Sequence, residues 1–148
     1  MTLARFMANA PSRLAQLRAA LVSGRYTPGL IRHVEIPKKD GEMRPLSIPC
    51  VADRVAQTAV ALTLAPLIDE ELEEASFAYR VGRSVQQAVE RVRALQRMGH
   101  GYLVDADIER FFERVPDDGL MARLAETMTD GPTTRLIALW LEHAAGHG

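Results

Sequence analysis

Residues 101–115 read GYLVDADIERFFERV, and this stretch decides how the rest of the chain is understood. Tyr102, Leu103 and Val104 are apolar and strand-prone, so a short strand is expected here. Asp105 and Asp107 follow two residues apart, and strand alternation would put both carboxylates on one face with Ala106 on the other. Two adjacent aromatics, Phe111 and Phe112, come just beyond. Carboxylates at a strand end beside aromatic rings suit a metal ion and a flat, charged substrate. The plainer alternative is a strand end whose aspartates cap the next turn, and the pattern alone leaves both open.

Working outward, the residues before this stretch predict helices and one hairpin. Thr2 to Val22 has helical apolar spacing at Leu3, Phe6, Met7, Leu14, Leu17 and Leu21, with a break expected at Pro11–Ser12. Ile31–Ile36 and Met43–Ile48 read as strands around Lys38-Lys39-Asp40-Gly41-Glu42, and Asp40-Gly41 is a hairpin-turn signal. A lysine and an arginine on facing strands, Lys38 and Arg44, can clamp a triphosphate, the lysine as a point charge and the arginine as a fork. A solvated basic turn has the same sequence. Asp53 to Glu74 predicts a helix kinked or interrupted by Pro66, ending in an acidic run (Asp69, Glu70, Glu71, Glu73, Glu74) that needs only solvent. Ser84 is placed to cap a helix over Val85–Met98. That helix has an apolar stripe (Val85, Ala88, Val89, Val92, Leu95) and an arginine face (Arg91, Arg93, Arg97).

Beyond the central stretch, helices are expected near Asp117–Met128 and Thr133–Ala145. Trp140 reads as core, and His143 and His147 as solvent-facing. His33 and His100 are isolated in the sequence, and nothing pairs them as metal ligands.

The bulk numbers bound the possibilities. The 148 residues, 47% hydrophobic and 25% charged, suffice for one domain with a core. The single cysteine, Cys50, excludes an internal disulfide and a cysteine-based zinc site. No apolar run reads as long enough to span a membrane, and the N-terminus lacks a signal-like apolar core; a cytoplasmic setting is the expectation. The net charge of −1 hides an asymmetry: residues 1–54 hold nine Lys/Arg against four Asp/Glu, residues 55–148 nine against fifteen. A basic segment facing a carboxylate site has the sign a polyphosphate-handling protein needs, although chance surface charge gives the same count.

Four segments, RHVEIPKKDGEMRPLSIP, DRVAQTAV, SFAYRVGRSVQQAV and YLVDADIERFF, occur in the order found in group II intron-type bacterial reverse transcriptases, with retron and CRISPR-associated relatives. Over about Gly24 to Leu120 the chain resembles the N-terminal part of these enzymes. The resemblance implies an α+β fold: mostly helical fingers with a β-hairpin over residues 1–100, and the first strand and helices of a truncated polymerase palm over 101–148. It places the metal-binding carboxylate on Asp107, with the Ile108 backbone carbonyl beside it, and two Mg2+ ions in the complete site. It puts Phe112, or neighbouring Phe111, under the nucleotide sugar. Lys38 and Arg44 fall on the residues that hold the incoming triphosphate, and Arg80 and Arg83 in the template-contacting region. Glu113 stands where many relatives have Asp. The implied partners are an RNA template, a DNA primer, deoxynucleoside triphosphates and a C-terminal polymerase half, with no membrane.

The 148 residues contain neither the Tyr-x-Asp-Asp hairpin nor the Gly-x-Pro-Gln-Gly loop of these enzymes. Asp117-Asp118 stands at a helix start, where capping accounts for it. The expectation is therefore a polymerase fragment, inactive by itself, with a non-catalytic nucleic-acid-binding or protein-docking module as the alternative. The pI of about 6.4 argues against strong nonspecific binding of nucleic acid.

Overall fold

The computed structural model describes residues 2–37, 41–128 and 131–146, with Glu113 described by its backbone only. Helices α1 (Leu3–Met7) and α2 (Ala10–Val22) are followed by strands β1 (Arg32–Pro37) and β2 (Met43–Ile48). Next come α3 (Val51–Glu71), α4 (Val85–Arg97), α5 (Phe111–Arg114), α6 (Asp117–Thr127) and α7 (Gly131–Ala145). The chain forms two compact units, residues 1–62 with 128–148, and residues 63–127.

In the first unit, the expected helix over Thr2–Val22 is split in two. The Thr2 side chain accepts from the Arg5 N–H to start α1, and Pro11 lies at the N-terminal end of α2, where its missing N–H costs nothing. The hairpin forms as expected: β1 and β2 pair antiparallel from Arg32 opposite Ile48 to Pro37 opposite Met43, with Arg44 opposite Ile36. Gly41 has φ +86°, a conformation glycine adopts without a Cβ penalty. The two strands pair only with each other among the described residues, which is why Pro45 is tolerated within β2.

The buried residues of this unit are few: Phe6, Tyr26, Ala56, Met128 and the carboxylate Asp53. Helix α3 passes through Pro66 as one assigned helix, so the expected interruption is not there. Its 21 residues are also long and apolar enough to cross a membrane, which corrects the expectation that no apolar run reaches that length. Only 17% of that apolar stretch is buried, and α3 carries the buried Asp53 in its first turn.

The second unit is held together by charged side chains. Arg80 anchors the connector after α3: its guanidinium donates to Asp69 Oδ1 at 2.6 Å and Oδ2 at 3.1 Å, and to the carbonyls of Glu73 (2.8 Å) and Ser76 (3.1 Å). Arg123 and Thr127 of α6 both bond the Glu71 carboxylate at the end of α3. Asp69 and Glu71 are therefore engaged, where the sequence suggested an acidic run meeting only solvent. Ser84 caps α4 in a full capping box with Gln87, as its position predicted.

The expected first palm strand is not formed. Residues 101–108 have no regular secondary structure, and Tyr102 and Val104 are 100% and 91% exposed. A strand exists only by hydrogen bonding to a neighbour, and the one sheet among the described residues is the β1–β2 ribbon of the other unit. The strand-prone run Tyr102 to Val104 supplied the propensity but not the partner.

Candidate active site

Asp105 and Asp107 are both exposed on this irregular segment. The chain then turns at Glu109 and Arg110. Arg110 takes the left-handed conformation, with φ +53°, immediately before the single turn of α5, a backbone state that a non-glycine residue adopts at some cost. The turn is bridged by an exposed ion pair, Arg114 to Glu109 at 3.2 Å. It presents Phe111 and Phe112 side by side, ring centroids 5.5 Å apart and planes at 60°. Phe112 is 82% exposed. An open carboxylate thus precedes an open aromatic pair by four and five residues.

The donor set fits one edge of a magnesium site. Asp107 offers a hard carboxylate and Ile108 a backbone carbonyl, oxygen ligands of the kind Mg2+ prefers. No group of three or more His, Cys, Asp or Glu side chains that could hold a metal occurs among the described residues. The remaining positions of an octahedral ion would have to be filled by water, substrate phosphates or carboxylates from elsewhere.

The other expected site residues are distributed differently. Lys38 lies outside the described residues. Arg44 is exposed on β2 in the first unit, and Asp107 belongs to the second. Arg80, expected near a template, has its guanidinium committed to Asp69 and two carbonyls, with its side chain only 8% exposed. Arg83 stacks over the Phe77 ring, 5.5 Å from its centroid. It lines a cleft of about 510 Å³ with Gln87, Glu90 and Arg91.

One cluster went unread in the sequence. Asp53, 3% exposed, accepts from the Tyr26 hydroxyl at 2.6 Å and from the Gly29 N–H at 2.9 Å. Trp140 Nε1 donates to the Tyr26 oxygen at 3.0 Å, and the two rings meet edge to face at 6.3 Å. His143 Nε2 lies 2.8 Å from the Gly29 carbonyl. A carbonyl only accepts, so that nitrogen carries the proton. His143 is therefore partly buried and bonded, not solvent-facing as its place near a helix end suggested. Burial, followed by the bond to Asp53, raises the Tyr26 phenol far above its ordinary value. In the sequence, an aspartate in the first turn of a helix reads as a cap, and nothing linked it to residues 27 positions before or 87 after.

Comparison with known proteins agrees with the order of motifs. The profile of the reverse transcriptase (RNA-dependent DNA polymerase) family matches residues 36–148. Protein YkfC of Escherichia coli K12 is 33% identical over 136 residues, covering 88% of this chain and 35% of that protein. The group II intron-encoded protein LtrA of Lactococcus lactis subsp. cremoris is 27% identical over 131 residues, 88% of this chain and 22% of LtrA. A putative COX1/OXI3 intron 1 protein of Saccharomyces cerevisiae is 27% identical over 117 residues, 79% of this chain and 14% of that protein. The chain thus spans about a third or less of the length of these relatives.

Proposed function

The chain belongs to the reverse transcriptase family, and from that premise we propose that it supplies the fingers-like region (residues 1–100) and the start of the palm (101–148) of an RNA-directed DNA polymerase. The supporting observation is the open Asp107 carboxylate followed by the exposed Phe111–Phe112 pair, within the span that the family profile covers.

In this reading Asp107 and the Ile108 carbonyl hold one side of the metal site. Magnesium, when bound, stabilises the attacking and leaving oxygens of an in-line phosphoryl transfer. Phe112, or Phe111 next to it, packs under the deoxyribose and leaves no room for a 2′-hydroxyl. Arg44 grips the triphosphate as a bidentate fork, with Lys38 as a second positive charge. Arg83 is the better placed of the two arginines for a template phosphate, because Arg80 is occupied within its own unit. Residues 101–108 gain their strand by pairing with further strands of the palm.

One carboxylate cannot hold two ions. The 148 residues therefore require a segment bearing Tyr-x-Asp-Asp, in the same polypeptide or in a second one. The test is primer extension on an RNA template with magnesium and deoxynucleotides. The chain alone yields no extension, and the chain combined with such a palm segment yields DNA. Robust synthesis by the 148 residues alone overturns this reading.

A second reading, a non-catalytic nucleic-acid-binding or docking module, is favoured by the basic first third of the chain, nine Lys/Arg against four Asp/Glu over residues 1–54. RNA binding that persists while synthesis stays absent in the combined assembly decides for it.

A further inference from the structure

The β1–β2 ribbon is held at its base. Its strands pair only with each other among the described residues, and its side chains are exposed or half-buried. A two-stranded ribbon without further packing has little to fix its direction. What fixes it must lie where the chain enters and leaves. Entry is at Gly29, three residues before β1, and exit is at Cys50, two residues after β2. These two positions are in contact: a Cβ on Gly29 would sit 2.9 Å from Cys50 Sγ and 3.4 Å from Asp53 Oδ2.

Gly29 is gripped on both of its polar atoms. Its N–H donates to Asp53 of α3, and its carbonyl accepts from His143 of α7. Asp53 is in turn fixed by the Tyr26 hydroxyl, and Tyr26 by Trp140 of α7. The hairpin base is therefore bolted to two helices by a set of bonds centred on a buried carboxylate. A side chain as deeply buried as Asp53 keeps a single rotamer when each of its oxygens has a donor.

We propose that Asp53, with Tyr26, Trp140 and His143, forms a positioning set that fixes the base of the β1–β2 hairpin and so aims Arg44 at the triphosphate of the incoming nucleotide. The proposal rests on the polymerase reading for the role of Arg44; the clamping of the hairpin stands on the bonds alone. None of the four touches substrate. They act through the ribbon, whose six-residue strands convert a small tilt at Gly29 into a larger displacement further along.

The test uses the polymerase assembled from this chain and a palm segment bearing Tyr-x-Asp-Asp. Tyr26→Phe removes the hydroxyl that orients Asp53. His143→Ala, at a partly exposed position, frees the Gly29 carbonyl and serves if the first variant folds poorly. Each is expected to raise the KM for deoxynucleotide about tenfold, the worth of one lost hydrogen bond. Template–primer affinity should stay unchanged. In an Arg44→Ala background the same substitutions should have no further effect on KM, because residues acting through one contact are not additive. Hydrogen exchange supplies a readout independent of activity: amides of β1 and β2 exchange faster in both variants, while those of α4 are unaffected. Equal KM effects with and without Arg44, or unaltered hairpin exchange, overturn the proposal. An assembly that makes no DNA while the hairpin amides still respond overturns the polymerase reading instead and leaves the clamp standing.

Discussion

Replacing Tyr26 with phenylalanine is the sharpest stability test of the buried cluster, because it removes one oxygen and leaves the ring. The hydroxyl donates to a carboxylate only 3% exposed and accepts from Trp140. A hydrogen bond to a charged group is worth about 1.5–3 kcal/mol, and the orphaned Trp140 donor adds to the loss. The expected destabilisation near pH 8 is about 2–4 kcal/mol. Its pH dependence is the more specific signature. Burial first, and Asp53 second, hold the phenol well above its ordinary 10.0, so the folded chain keeps a proton that the unfolded chain releases. The stabilisation from this shift is complete below pH 10 and is lost as the pH rises past it. The loss runs at about 1.4 kcal/mol per pH unit until the folded group itself ionises. Urea denaturation of wild type and Tyr26→Phe, from pH 8 to 11, measures this directly. The gap between the two proteins should be widest at pH 8 and about 1.4 kcal/mol narrower at pH 11. A gap that stays constant over that range, or one below about 0.5 kcal/mol at pH 8, would refute the network, since surface substitutions do no more than that.

Three other substitutions probe separate parts of the chain. Gly29→Ala drives a Cβ against Cys50 Sγ and is expected to cost about 1–3 kcal/mol in urea denaturation; in a Cys50→Ala background most of that cost should disappear. Arg80→Met removes the guanidinium that holds the Asp69 carboxyl below its usual value of 3.8. Asp69 contributes stability above pH 3.8 that fades as the pH falls, so the variant should show a flatter acid limb in its denaturation midpoints below about pH 4; an unaltered limb counts against the ion pair. Asp107→Asn, at an exposed position, should leave the midpoint at neutral pH within about 0.5 kcal/mol of wild type, and a larger shift would mean that the carboxylate has a structural partner.

Local chemistry carried most of the secondary structure. Pro11 marked the second helix, Asp40-Gly41 the hairpin, and Ser84 the cap of α4; each depends on neighbours within a few positions. Residues 101–105 failed as a strand because their propensity had no lateral partner among the described residues. Of the kink or interruption expected at Pro66, the interruption did not occur, since α3 continues through it. Asp53 escaped notice because its partners lie 24 and 27 residues away, and such links arise only after packing. His143 was misread for a related reason: its exposure is set by Gly29, 114 residues earlier. Of the proposed site, the residue types and their order were readable at Asp107, Phe111 and Phe112, while the commitment of Arg80 to Asp69 was not.

The role proposed for Asp107 is to grip the metal of nucleotide transfer. Its most direct measurement is single-turnover extension of a DNA primer on an RNA template by the assembled polymerase, comparing wild type with Asp107→Asn at equal template–primer occupancy. The expected result is extension by the wild type and none by the variant at any magnesium concentration. Extension by Asp107→Asn at the wild-type rate would contradict it.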